Sequence, residues 1–138
     1  MKQMQKLFCV VFSVLVLAAC QPRQIDTSSR ILYQQSNLII TLTPADAPVE
    51  TPLSLQISSD QPVEIISADL TGISMYMGRI PLRFQKLITP ATLVQEQWQA
   101  DFLLGACSDP AMLWQLKLTV LLADGTKLSI NEQFKSSW

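Results

Sequence analysis

From residue 37 onward the sequence predicts an all-β domain, on three observations. Short apolar runs recur about every ten residues, each closed by turn residues, and no long stretch keeps a helical period. The strongest run, residues 112–122, alternates sharply: Met112, Trp114, Leu116, Leu118, Val120 and Leu122 share one face, with Gln115, Lys117 and Thr119 on the other. It closes at Ala123-Asp124-Gly125-Thr126 and returns over residues 127–134, so Asp124-Gly125 marks a hairpin. One apolar and one wet face per strand is the pattern of antiparallel sheets packed on one side. About seven such strands in about 100 residues predict an immunoglobulin-like β-sandwich.

The elements follow in order. Leu38-Ile39-Ile40-Thr41-Leu42-Thr43 stops at Pro44, and Leu53-Ser54-Leu55-Gln56-Ile57 alternates and stops at Ser58-Ser59-Asp60-Gln61-Pro62. Residues 63–71 end at Gly72, and a fourth run covers 80–84 after Gly78. Thr92-Leu93-Val94 is short, whereas residues 98–104 alternate Trp98, Ala100, Phe102 and Leu104. Residues 85–97 leave room for a short helix, limited by Pro90. The Cys…Trp…Cys disulfide pattern of antibody domains is missing, and there are no internal repeats or low-complexity segments.

The first twenty residues read differently. Lys2 and Lys6 form a short positive region, and residues 7–17 are apolar apart from one Ser. As a helix that run would be about 16 Å long, roughly half a bilayer core, the length of a signal-peptide core rather than a span. Leu17-Ala18-Ala19-Cys20 resembles the lipobox of bacterial lipoproteins, cleaved before a cysteine whose thiol carries lipid. The resemblance implies a signal peptide over residues 1–19, palmitate-type acylation of Cys20, and an anchor at the periplasmic face of a membrane. Two or three acyl chains would make that anchor permanent. Gln21, rather than Asp, follows the cysteine, which under the same resemblance points to the cell outer membrane. Residues 20–36 are polar and rich in Ser and Gln, and read as a tether to a domain over 37–138.

Composition excludes several functions. Loss of Lys2 and Lys6 with the signal takes the formal charge from −1 to −3, leaving no basic patch to neutralise phosphates, so no nucleic-acid partner is expected. The chain has no histidine, which removes the usual general base and the usual zinc ligand. The carboxylates are scattered singly, so no nucleophile–base pair can be named and the chain reads as a non-enzyme. Of three cysteines, Cys9 leaves with the signal and Cys20 takes the lipid. Cys107 then stands without a disulfide partner in an oxidising compartment, either a buried inert thiol or a ligand for something soft.

Chemistry is concentrated in sulfur. In an extended Gly72-Ile73-Ser74-Met75-Tyr76-Met77-Gly78, Met75 and Met77 would point the same way. Thioethers are uncharged, resist oxidising conditions better than thiols and select Cu(I). Cys107, in the turn Gly105-Ala106-Cys107-Ser108-Asp109-Pro110, could complete a three-sulfur site, with Met112 as an additional candidate and Trp114 as an aromatic cover. The same residues could equally be core: Ile73, Met75 and Met77 share a parity, and methionine commonly fills core gaps.

Three segments carry a family resemblance: Met75-Tyr-Met-Gly-Arg-Ile-Pro81, Trp98-Gln-Ala-Asp-Phe-Leu-Leu104, and Met112-Leu-Trp-Gln-Leu-Lys-Leu118 with Asp124-Gly125. Together they resemble the FixH and YtkA-like periplasmic immunoglobulin-like domains over about residues 60–134. That resemblance implies copper handling or oxidase assembly, with a periplasmic copper or oxidase-assembly protein as partner. Such domains usually carry histidine near the methionines, and here an all-sulfur set would have to serve. Two readings therefore stand: a lipoprotein binding or delivering Cu(I) through Met75, Met77 and Cys107, or an envelope interaction module in which these residues only pack.

Overall fold

The computed structural model describes residues 27–35, 37–88 and 94–138, and every regular element among them is a strand. There are nine: β1 (Arg30–Gln35), β2 (Leu38–Thr43), β3 (Leu53–Ser59), β4 (Val63–Gly72), β5 (Arg79–Leu82), β6 (Gln85–Lys86), β7 (Glu96–Phe102), β8 (Leu113–Leu122) and β9 (Lys127–Lys135). They form two antiparallel sheets, β1-β2-β3-β7-β6 and β5-β4-β8-β9. Without β1 these orders match the four-strand A-B-E-D sheet of immunoglobulin domains and a C-F-G sheet widened by one edge strand. The domain is a β-sandwich, as the alternation predicts.

Alternation produces the core. Leu38, Ile40 and Leu42 of β2, Leu53, Leu55 and Ile57 of β3, and Trp114, Leu116, Leu118, Val120 and Leu122 of β8 are all buried between the sheets. Each Leu or Ile so buried contributes about 1.5–3 kcal/mol by leaving water. The predicted hairpin also forms. Gly125 N–H donates to Leu122 O at 2.9 Å, and Gly125 takes the left-handed conformation, φ 84°. Thr126 N–H donates to Asp124 Oδ1 at 2.8 Å, a bond that holds this carboxyl below its ordinary range.

Strand number and boundaries differ from expectation in three places. Residues 30–35, expected within the tether, form β1 and pair with β2, from Arg30↔Leu42 to Gln35↔Leu38. Only Leu32 and Tyr33 pack against the core, and backbone pairing at a sheet edge leaves little trace in composition. The run 80–84 stops short: β5 ends at Leu82 and joins β4, while β6, which follows the run at Gln85–Lys86, joins β7 in the other sheet. Pro81 fits because β5 is an edge strand, where a missing N–H is tolerated. Strand also occupies both ends of the stretch considered for a helix, at Gln85–Lys86 and Glu96–Phe102. The signal segment, Cys20 and nearly all of Thr92-Leu93-Val94 lie outside the described residues. Among the described residues no helix is long and apolar enough to cross a membrane.

The two ends of the sandwich differ. The upper end carries the β2–β3, β4–β5 and β7–β8 connections, the entry at Ser28 and the segment after β9; the lower end carries the β3–β4 and β8–β9 turns, the end of β1 and the starts of β2 and β7. At the lower end Glu96 joins the sheets: one carboxylate oxygen accepts from Val63 N–H at 3.1 Å, and the other meets Lys86 Nζ. The bond from Lys86, opposed by partial burial and aided by the Val63 amide, holds Glu96 below the ordinary value of 4.5. A depressed folded-state value adds stability that is fully present above that ordinary value and is lost as pH falls through the lowered one. Glu96→Gln should therefore flatten the acid limb of a stability-against-pH curve below about pH 4.5. Unchanged acid sensitivity in urea midpoints across pH 3–6 would show that this link is not felt.

Candidate functional site

Cys107 and Met112 meet at the upper end, where the chain crosses from β7 to β8 between the sheets. Leu104, fully buried, pins the start of the crossover, and its carbonyl accepts from Glu50 N–H at 2.9 Å. Residues 105–111 then make a turn around the Cys107 sulfur. Asp109 N–H donates to Cys107 Sγ at 3.3 Å, and Asp109 Oδ1 accepts from Ala111 N–H at 3.0 Å. That folds the chain back so that Cys107 Sγ lies 3.5 Å from Met112 Sδ and 3.5 Å from Asp109 O. Cys107 is half-buried and carries a free thiol, whereas Met112 is 1% exposed.

Met112 is fixed from the other side by the core. Its carbonyl accepts from Ser136 N–H at 3.0 Å and faces Ser136 Oγ at 3.4 Å. Ser136 Oγ in turn accepts from the Trp114 indole at 3.3 Å. Trp114 is fully buried, so its role visible here is to position Ser136 and through it Met112. The Met112 methyl packs against Gly72 at the end of β4, where only hydrogen leaves room.

The expectation for Met75 and Met77 rested on an extended segment, and residues 73–78 are instead a loop between β4 and β5. The loop is held by Ile73 N–H to Leu113 O at 2.8 Å and Leu113 N–H to Ser74 Oγ at 3.0 Å. Met77 turns inward and packs against the core, its methyl lying over Gly105, two residues before Cys107. Met75 is 40% exposed, and Ile73 is exposed too, so these are not core residues of one strand. Met112, the additional candidate in the sequence, is the sulfur in direct contact with Cys107; the signal that could have ranked it first is its place five residues on, across a turn closed by Asp109 and Pro110.

No family model and no curated protein matches the chain. Among solved structures, a DUF4426 family protein from Pseudomonas aeruginosa PAO1 is similar at a TM-score of 0.48 and 10% identity, covering 79% of this chain and 94% of that one. At that level the likeness assigns no role.

The donor set is soft. Among the described residues no three His, Cys, Asp or Glu side chains gather as a metal site. One thiol and one thioether in contact, with a second thioether alongside, suit a monovalent soft ion better than zinc or calcium. The lower end offers a recess of about 250 Å³ lined by Tyr33, Leu38, Ser59, Leu122, Asp124 and Leu128 among others, but Asp124 is committed to its turn.

Proposed function

We propose that the chain is a lipoprotein, anchored through acylated Cys20 at the periplasmic face of the outer membrane, whose sandwich holds Cu(I) with sulfur. The supporting observation is the 3.5 Å contact between Cys107 Sγ and Met112 Sδ, with Met77 beside the same turn. Cys107 would supply the charged ligand and Met112 the neutral one, with Met77 the nearest further thioether. Bound copper would give the protein a cargo to exchange with a periplasmic copper or oxidase-assembly partner, the role implied by the resemblance to FixH and YtkA-like domains. Two sulfurs already in contact need little rearrangement to share an ion, and the Asp109 amide can keep its bond to the Cys107 sulfur.

Titrating the full chain with Cu(I) in reducing buffer against a colorimetric chelator tests this reading. One equivalent should be withdrawn from the chelator. Cys107→Ser should weaken binding about a hundredfold or more, equivalent to about 2.8 kcal/mol, and Met112→Leu about tenfold. Met75→Leu should change little, since its side chain lies further into solvent. A wild-type chain that leaves the chelator fully loaded sinks the copper reading, and the sulfurs are then packing residues of an interaction module.

A further inference from the structure

The upper end carries apolar side chains that the core does not absorb. Tyr76 is 86% and Trp138 60% exposed, and Ile73, Met75 and Leu103 are exposed at the same end. They come from three segments, which backbone bonds tie together. Ile73 N–H donates to Leu113 O, Ser136 N–H to Met112 O, Val49 N–H to Ser137 O and Glu50 N–H to Leu104 O. The chain also enters at this end, because Ala45 N–H donates to Ser28 O and Arg30 pairs with Leu42.

The entry point sets a distance. Ser28 lies eight residues after Cys20, and eight extended residues span at most about 28 Å. Lipid on Cys20 would thus keep the upper end close to the bilayer. Within so short a reach the effective concentration of surface is high, and weak contacts are enough to orient the domain. Tyr and Trp among aliphatic neighbours are the side chains that settle at the headgroup level. Charges at this end are mixed, Arg30 and Lys135 against Asp46, Glu50 and Asp109, so nothing there selects anionic lipid.

We propose that the upper end lies on the phospholipid surface, with Ile73, Tyr76, Leu103 and Trp138 seated among the headgroups. This rests on acylation of Cys20. The half-buried Cys107, in contact with the buried Met112, then lies at the end that faces the bilayer.

The test uses the full chain purified from the membranes of producing cells and reconstituted into phosphatidylcholine vesicles, with or without brominated acyl chains. Mass of the Cys20 peptide reports acylation separately. Brominated lipid should quench tryptophan fluorescence, and Trp138→Phe should remove most of that quenching, since Trp114 is buried and Trp98 lies towards the lower end. Tyr76→Ser combined with Leu103→Ser should lower the quenching of Trp138 while the protein stays on the vesicle through its lipid. Acylated protein that shows no quenching overturns the surface contact and leaves the lipoprotein reading intact. So does crosslinking of the Trp138 region to a second copy in place of quenching. A Cys20 peptide of unmodified mass overturns the lipoprotein reading itself, and this proposal with it.

Discussion

Trp114→Ala is expected to cost about 3–5 kcal/mol, the range for removing a large buried aromatic side chain. Trp114 is fully buried in β8, the strand that lies between β4 and β9 and supplies the longest buried row in the core. Its loss opens a cavity and also strips Ser136 Oγ of the donor it faces inside the protein. Domains of this size hold about 5–15 kcal/mol in total, so the variant should sit close to unfolding. Urea denaturation would show a large fall in midpoint with an unchanged slope. Trp114→Phe keeps most of the volume but loses the N–H and about three ring atoms, and should cost less than Trp114→Ala, about 1–3 kcal/mol. A Trp114→Ala midpoint close to that of wild type would mean that the core is not organised around this residue.

Gly72→Ala should act on both stability and the sulfur pair. A β-carbon there would overlap the Met112 methyl and the Met75 carbonyl oxygen, and the latter is backbone that cannot swing aside. Overpacking of this kind costs about 1–3 kcal/mol. Because relief requires moving Met112 or the 73–78 loop, the proposed Cu(I) binding should weaken with it. Gly105→Ala is the matched comparison: its β-carbon would sit 3.4 Å from the Met77 methyl, an ordinary contact, and stability should stay within about 0.5 kcal/mol. Equal melting temperatures for Gly72→Ala and wild type would contradict this packing.

The parts of the fold that the sequence announces are those where side chains decide the structure. The buried row Trp114, Leu116, Leu118, Val120 and Leu122 and the Asp124-Gly125 turn both follow from alternation and turn chemistry. β1 escapes because an edge strand with one half-buried pair, Leu32 and Tyr33, is held chiefly by backbone bonds that composition does not record. The change of sheet between Leu82 and Gln85 escapes for a related reason, since β6 is the exposed polar pair Gln85-Lys86, held by backbone bonds to β7 that side-chain pattern does not record. At the candidate site the residue types were legible and their arrangement was not. Shared parity places Met75 with Met77 only in a strand, and β4 ends before either of them. The contact between Cys107 and Met112 depends on a turn shaped by Asp109, whose side chain bonds Ala111 N–H and whose own N–H bonds the sulfur.

The hydrogen bonds that Ser136 donates to Met112 and accepts from Trp114 also set a time order. A chain emitted from its amino end presents Cys107 well before residue 136 has arrived, and β9 must pair with β8 before Ser136 can reach the Met112 carbonyl. Until then the thiol stands in an unfinished half of the sandwich, open to any oxidant around it. Closure of that last contact is the moment at which the sulfur pair becomes a fixed pair, so a slow final strand lengthens the interval in which Cys107 can be lost to side reactions.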